Sequence, residues 1–231
     1  FKQKTAYEIS LGLVGSEMCI RDSIKKDASP EEIKKSCEEC KEFGFRGLCV
    51  RPEYTKLAKE NLKDTQTKVI TLIDPPMGIS SLEEKLALAK KAKEDGSDEI
   101  DVVMNVVDFK HGRYEKIIDE LKEICKILPT KVIIGAGYLT KDEIKKATEI
   151  VKESGAICVK TATEKDPTFS IEERAFQVKI MKENAGNLLV KAAGGIRNLS
   201  QAILMIEMGA DIIGTSSGVE IVKEALSLKE R

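Results

Sequence analysis

The chain has 231 residues, of which 42% are hydrophobic, so it can enclose one large hydrophobic core but is short for two domains. Its 38 lysines and arginines nearly balance 39 aspartates and glutamates, and a net charge of -1 argues against binding to nucleic acid or an anionic membrane surface. No apolar run approaches the roughly 20 residues of a spanning helix, so we expect a soluble globular protein. Six sparse and irregularly spaced cysteines favour a reducing, cytoplasmic environment.

The first 23 residues, FKQKTAYEISLGLVGSEMCIRDS, follow no helix or strand pattern and lack the features of a signal peptide. The stretch from Met18 to Ser23 back-translates to ATG TGT ATA AGA GAC AG, the end sequence recognised by a common library-preparation transposase. We therefore predict that residues 1–23 are not native and that residues 24–231 form a single domain. On this interpretation the first strand of the fold is missing or replaced by a foreign segment.

A helix is predicted at Pro30–Phe43, preceded by Ser29 as its N-cap. Cys37 and Cys40 lie within it, with no second pair at zinc-site spacing, so we interpret them as packing residues of a reduced protein. The single histidine, His111, cannot build a histidine-rich metal site or a Ser-His-Asp triad. We expect neither a metal nor a cofactor.

From Gly44 onward, short apolar runs alternate with longer amphipathic segments, a pattern typical of βα units around a parallel sheet. The predicted strands are Gly47–Val50, Lys68–Ile73, Glu99–Met104, Lys131–Ile134, Ile157–Lys160, Leu188–Ala192 and Asp211–Gly214. The predicted helices between them are Ser81–Asp95, Arg113–Leu128, Lys141–Ser154, Ile171–Asn184 and Ser200–Met208. Seven units fit a doubly wound open sheet or a (β/α)8 TIM barrel with one strand undetected. No G-x-G-x-x-G follows a strand, which disfavours a dinucleotide-binding open sheet.

Three charged residues stand where apolar strands end, namely Asp101, Lys160 and Lys191. Lysines that close consecutive strands of a barrel are neighbours, and one ammonium beside another becomes a neutral, nucleophilic amine more readily. Asp101 could then move protons, completing an imine-forming site. The alternatives are that the lysines extend into solvent and that Asp101 forms a structural ion pair. We expect Asp101→Asn to lower turnover about 100-fold or more with little loss of stability.

Small residues follow the last two predicted strands and indicate a phosphate site. Gly194 and Gly195 follow one strand, and Gly214, Ser216 and Ser217 end or follow the next. Barrels frequently bind phosphate through backbone N–H groups of these two loops. The alternatives are that the glycines only permit a tight turn and that the serines only cap the final helix.

The motifs EIDVVMN, VKTAT and VKAAGGIRNLSQAILMIEMGADIIGTSSG resemble the deoxyribose-phosphate aldolase family, and the resemblance runs from about residue 28 to residue 222. It implies a (β/α)8 barrel and a metal-independent class I aldolase of deoxyribonucleotide catabolism. Such an enzyme cleaves 2-deoxy-D-ribose 5-phosphate to acetaldehyde and D-glyceraldehyde 3-phosphate. The resemblance makes Lys160 the Schiff-base lysine, Lys191 the lysine that activates it, and Asp101 the proton relay. The implied substrate and phosphate contacts are Thr161, Gly194, Gly195, Gly214, Ser216 and Ser217.

Two departures from the family pattern bear on activity. The family's first-strand signature, Asp-x-Thr-Leu, has no convincing match, and Glu164 stands where the Lys-Thr-Ser-Thr-Gly motif has glycine. These departures leave open a catalytically silent phosphosugar-binding barrel, although both lysines and Asp101 are retained. An imine-forming lyase for another short aldehyde or keto acid is compatible with the residues but not with the strength of the resemblance. The predicted partners are small phosphosugars and aldehydes, without nucleic acid or membrane, and a homo-oligomer is compatible with the pattern.

Overall fold

Eight parallel strands form one closed barrel in the computed structural model, which describes residues 19–163, 166–168 and 170–228. The strands are β1 (Cys19–Ser23), β2 (Gly47–Val50), β3 (Lys68–Ile73), β4 (Glu99–Val103), β5 (Thr130–Ile133), β6 (Cys158–Lys160), β7 (Leu189–Ala193) and β8 (Ile212–Thr215). Each strand pairs with the next along the chain, and β8 pairs with β1. The predicted (β/α)8 barrel is confirmed.

Helices connect the strands around the outside of the barrel, as this fold requires. Within the described residues they are α1 (Pro30–Phe43), α2 (Thr55–Leu62), α3 (Leu82–Glu94), α4 (Val106–Lys110), α5 (Tyr114–Cys125), α6 (Lys141–Glu153), α7 (Ile171–Ala185), α8 (Leu199–Glu207) and α9 (Gly218–Ser227). Ser29, Ser81 and Thr140 form capping boxes that fix where α1, α3 and α6 begin. None of the described helices has the length and apolar character needed to cross a bilayer.

The strand that the sequence pattern did not reveal is β1. Ile20 is in register with Gly47 of β2, and Cys19 is in register with Ile213 of β8. The expectation that the first strand is missing is therefore wrong, and no open sheet edge remains at this position. The pattern was undetectable because only the first two residues of β1, Cys19 and Ile20, are fully buried, while polar residues follow them.

The origin of residues 1–23 stays a prediction. Sequencing the start of the coding region after an amplification that uses no transposase should give different codons from those that encode this segment. Recovery of the same codons would contradict the prediction that the segment is foreign.

Alternation along the strands divides their side chains between the barrel interior and the surrounding helices. The interior apolar cluster comprises Ile20, Cys49, Ile70, Leu72, Val103, Ile133, Cys158 and Ile212. Residues two positions apart on a strand share a face, so Asp101 lies on the same face as Val103, and Lys131 lies on the same face as Ile133. Charged residues therefore enter an interior that is otherwise lined by apolar side chains.

The two cysteines of α1 pack in the core, as the sequence predicts. Cys37 and Cys40 lie in a buried cluster with Cys19 and Phe45 between the helix and the barrel. All six cysteines are free, and burial raises the pKa of Cys37 to about 11. A thiol with so high a pKa is a poor nucleophile and a poor metal ligand.

Candidate active site

Asp101 of β4 lies at the centre of a buried ionic cluster. Its Oδ2 accepts hydrogen bonds from Lys160 Nζ at 2.9 Å and from Lys191 Nζ at 3.0 Å. Its Oδ1 accepts a third from Lys131 Nζ at 2.9 Å. All four side chains are fully buried. The structure thus brings together the three predicted catalytic residues and adds a third lysine.

Strand register explains why these side chains meet. Asp101 is opposite Lys131 across β4 and β5, and Lys160 is opposite Lys191 across β6 and β7. Facing residues of neighbouring strands project to the same side of the sheet, here into the barrel. The prediction that the two lysines occupy neighbouring strands is confirmed.

Two expectations about this cluster are corrected. Only Lys160 closes its strand, whereas Asp101 and Lys191 lie in the middle of β4 and β7. The alternative in which the lysines extend into solvent is wrong, because Lys160 and Lys191 have no exposed surface. Their inward direction follows from the side-chain alternation of strands that face the barrel interior.

The cluster fixes the charges of Asp101 and Lys191. Burial opposes ionisation of Asp101, but the ammonium groups of Lys131, Lys160 and Lys191 outweigh it and hold the carboxyl pKa well below its usual range. Burial likewise favours a neutral Lys191, but Asp101 and Asp22 outweigh it and raise the lysine's pKa well above its usual range. Asp22 Oδ1 lies 3.5 Å from Lys191 Nζ. At neutral pH, Lys191 is therefore a fixed positive charge close to Lys160.

Sequence reasoning missed Asp22, Lys131 and Glu99. Lys131 Nζ lies 2.5 Å from Glu99 Oε2, and Lys68 Nζ lies 2.5 Å from Glu99 Oε1. The available signal was alternation, because Glu99 and Lys131 each stand two residues before an inward-facing residue of the same strand. Asp22 was set aside because it belongs to the segment predicted to be foreign.

A cavity of about 520 Å³ opens at the carboxyl ends of β1, β6, β7 and β8. Four residues of the predicted phosphate site line it, namely Gly194, Gly195, Gly214 and Ser216. Gly194 and Gly195 adopt φ values of 98° and 80°, a left-handed backbone that favours glycine, so these positions need glycine for conformational reasons as well. Further cavity-lining residues with polar or charged side chains are Arg21, Asp22, Ser23, Lys25, Glu32, Lys35, Ser36, Glu39, Thr163, Arg197 and Thr215.

Two further predicted contacts, Thr161 and Ser217, are not among the described residues that line this cavity. Thr161 Oγ1 donates to the carbonyl of Ala193 at 2.8 Å and accepts from its N–H at 2.9 Å. The hydroxyl therefore stabilises the backbone at the end of β7. The backbone N–H of Ser217 donates to Thr215 Oγ1 at 2.9 Å, immediately before α9. The interpretation of Glu164 falls outside the described residues.

Gly214 lines the cavity and also packs against the side chain of Lys191. A methyl group at this position would lie 2.5 Å from Lys191 Cε and 2.9 Å from Asp22 Oδ2, closer than real Cβ contacts. Glycine is therefore needed here to leave room for the Lys191 side chain.

We expect Gly214→Ala to displace Lys191 and to lower turnover about tenfold or more, since small misplacements of reacting groups are costly. Kinetic assays alongside thermal melts would measure this. Gly47→Ala is the matched control, because its methyl group would crowd the apolar Ile70 Cδ1 at 2.8 Å instead. Equal loss of turnover per folded molecule in both variants would contradict the role assigned to Gly214.

The chain forms a closed (β/α)8 barrel in which buried lysines surround one carboxylate. A cavity opens above them at the carboxyl ends of the strands, where barrel enzymes have their active sites. This combination is the architecture of an enzyme. The family model described as DeoC/LacD family aldolase matches residues 18–224, and the chain belongs to this family. It is therefore an aldolase, a lyase that acts on carbon–carbon bonds.

Individual relatives agree with this assignment. A deoxyribose-phosphate aldolase of Caldanaerobacter subterraneus is 42% identical over 208 residues, covering 87% of this chain and 89% of the relative. One of Thermococcus gammatolerans is 43% identical over 211 residues, covering 88% and 92%. The solved structure of "QR15, an Aldolase" superposes with a TM-score of 0.86 at 38% identity, covering 93% of this chain and 96% of that chain. The tetrameric deoxyribose phosphate aldolase of Aeropyrum pernix superposes with a TM-score of 0.83 at 26% identity, covering 99% and 100%.

Proposed function

We propose that this enzyme cleaves 2-deoxy-D-ribose 5-phosphate to acetaldehyde and D-glyceraldehyde 3-phosphate through an imine on Lys160. The carrying observation is that Lys160 Nζ and Lys191 Nζ share one oxygen of Asp101 at 2.9 and 3.0 Å. One lysine is thus beside both a fixed cation and a carboxylate, the arrangement that imine chemistry needs. The names of the relatives, deoxyribose-phosphate aldolase, support the choice of substrate.

Imine formation assigns different tasks to the two lysines. The neutral amine of Lys160 attacks the C1 aldehyde, and loss of water from the resulting carbinolamine gives the imine. The Lys191 ammonium supplies a positive charge next to the nucleophile, since the two lysines share Asp101 Oδ2. Lys191 itself stays charged because Asp101 and Asp22 surround it.

Carbon–carbon cleavage then requires a base and an electron sink. The C3 hydroxyl loses its proton towards the Asp101 carboxylate, the C2–C3 bond breaks, and its electron pair moves into the protonated imine to form an enamine. D-Glyceraldehyde 3-phosphate departs. Protonation of the enamine at C2 and hydrolysis of the imine release acetaldehyde and restore Lys160.

The cavity loops supply the phosphate site in this proposal. Gly194, Gly195 and Ser216 line the cavity, and backbone N–H groups of such loops bind phosphate in barrels. Arg197 and Lys35 also line the cavity and add positive charge. A phosphate held there leaves the sugar carbons to extend past Gly214 towards Lys160.

Reductive trapping tests the proposal. Borohydride added with 2-deoxy-D-ribose 5-phosphate should reduce the imine to a stable secondary amine, and peptide mass mapping should place the added mass on Lys160. Lys160→Ala should give no adduct. Lys182→Ala serves as the control, because Lys182 is partly exposed and pairs with Asp211 rather than with Asp101. Absence of an adduct in the unsubstituted enzyme, or an adduct on another residue, would overturn the assignment.

The same assay addresses the remaining alternatives. Replacing the sugar phosphate by other short aldehydes or keto acids tests whether a different substrate is preferred. A homo-oligomer and a cytoplasmic location stay predictions, although the Aeropyrum pernix neighbour is tetrameric.

A further inference from the structure

The ionic cluster continues beyond the residues that the proposed reaction uses. Asp101 Oδ1 accepts from Lys131 Nζ at 2.9 Å, and this ammonium lies 2.5 Å from Glu99 Oε2. Glu99 in turn contacts Lys68, whose side chain is about half exposed at 46%. Glu99 and Lys68 stand at the amino-terminal ends of β4 and β3, so the row of charges runs from the active site to the opposite end of the barrel.

Burying the charged side chain of Lys131 in the barrel interior costs free energy. It has no exposed surface, and a buried ion pair is often no more stabilising than a well-packed apolar replacement. Two carboxylates keep it charged, because Asp101 and Glu99 outweigh burial and raise its pKa. An apolar side chain could fill this position without the free-energy cost of burying a charge, so packing alone does not explain the lysine.

The contacts indicate what the charge does. The two carboxylate oxygens of Asp101 have different lysine partners. Oδ2 accepts from Lys160 and Lys191, and Oδ1 accepts from Lys131. Cys49 Sγ is also near Oδ2, at 4.0 Å, which leaves Lys131 as the charged anchor on the Oδ1 side among the described residues. Without that anchor, rotation of the carboxylate would carry Oδ2 away from the reacting lysine.

We propose that Lys131, held by Glu99, is a positioning residue that fixes the Asp101 carboxylate for proton transfer. This inference rests on the proposed function, and it assigns to Lys131 no contact with substrate. Lys131 sets the orientation of the base, whereas Lys160 forms the covalent bond.

Two partial reactions of acetaldehyde separate these tasks. Reductive trapping reports imine formation on Lys160, and exchange of the methyl protons for deuterium, followed by NMR, reports the proton transfer that converts imine to enamine. In Lys131→Met we expect trapping per folded molecule to stay within about threefold, while exchange falls about tenfold or more because the base is misplaced. Thermal melts and circular dichroism give the folded fraction.

Two variants distinguish positioning from a structural role. Lys131→Met combined with Glu99→Gln removes the buried charge pair, so stability should recover while exchange stays slow. Lys68→Met removes one of the outer cations of Glu99, beside Arg46, and leaves the contacts of Asp101 in place, so both partial reactions should be unchanged.

Three results would overturn the inference: loss of trapping and exchange in equal proportion, recovery of exchange in the double variant, or an equal loss of exchange in Lys68→Met. Absence of any adduct in the unsubstituted enzyme would overturn the proposed function together with this inference.

Discussion

Replacing Asp101 by asparagine should destabilise the barrel and lower turnover at the same time. The side chain accepts hydrogen bonds from three fully buried lysines, and its negative charge is removed while theirs remain. Breaking a buried ion pair from one side typically costs about 3–5 kcal/mol, because the remaining charge is left unpaired. Loss of a proton-transfer group should lower turnover by a further factor of about 100 or more per folded molecule.

The expectation of an almost unchanged melting temperature is therefore revised. On the sequence alone the proton relay and the structural ion pair are alternatives, whereas the geometry at Asp101 supports both roles together. Urea unfolding would measure stability, and kinetics corrected for the folded fraction would measure turnover.

Asp108→Asn is the matched control, since Asp108 is also buried but its partners Arg113 and Lys116 have side chains that are 55% and 63% exposed. Those cations keep most of their hydration, so the control should lose about 1 kcal/mol or less. A small stability loss in Asp101→Asn, similar to that of the control, would contradict the role of the ionic cluster.

Acid should remove the same stabilisation. The pKa of Asp101 is lower in the folded protein than the value of about 3.9 in an unfolded chain. Its contribution is therefore present above pH about 3.9 and is lost as pH falls through the lowered folded value. Asp101→Asn should therefore unfold with a shallower pH dependence than the unsubstituted enzyme. The change should be smaller in Asp108→Asn, because burial opposes ionisation of Asp108 and the cations that lower its pKa, Lys116 and Arg113, are largely exposed. Identical acid profiles would count against this assignment.

Most of the fold was predictable because its parallel strands are buried on both faces. Such strands read as apolar runs between amphipathic helices, and the observed bounds of β2 and β3 match the predicted ones. β1 was not predictable in this way, because Arg21, Asp22 and Ser23 give it the composition of a loop. Its assignment depends on pairing with β2 and β8, which are distant in sequence.

The candidate site was only partly predictable, and the reason is register. Asp101, Lys160 and Lys191 could be selected because a charge in an apolar strand is conspicuous. Which charges touch depends on how neighbouring strands are staggered, so Lys131 and Glu99 looked like ordinary polar residues at strand ends. Loop residues were harder still, since Thr161 bonds to the backbone of Ala193 and does not line the cavity.

Replacing Lys191 by leucine should move the pH optimum of the reaction upward by about one unit or more. In the unsubstituted enzyme this ammonium is fixed by Asp101 at 3.0 Å and by Asp22 at 3.5 Å. Leucine removes a positive charge close to Lys160, and an amine that lacks a cationic neighbour loses its proton only at higher pH. The apolar replacement also fits the surroundings, since Lys191 faces Ile212 across β7 and β8.

The decisive measurement is the pH dependence of both imine trapping and kcat. Because Lys160 remains in the variant, trapping should survive at high pH, whereas Lys160→Ala should give none at any pH. Lys182→Leu, which removes a lysine paired with Asp211 on the outside of the barrel, should leave the optimum in place. An unchanged profile in Lys191→Leu would exclude its role in activating Lys160, and trapping on Lys191 in the unsubstituted enzyme would reverse the two roles. A shifted optimum with trapping retained on Lys160 would instead assign the activating charge to Lys191 of β7 and the nucleophile to Lys160 of β6. The two lysines are neighbours because β6 and β7 hold them in register.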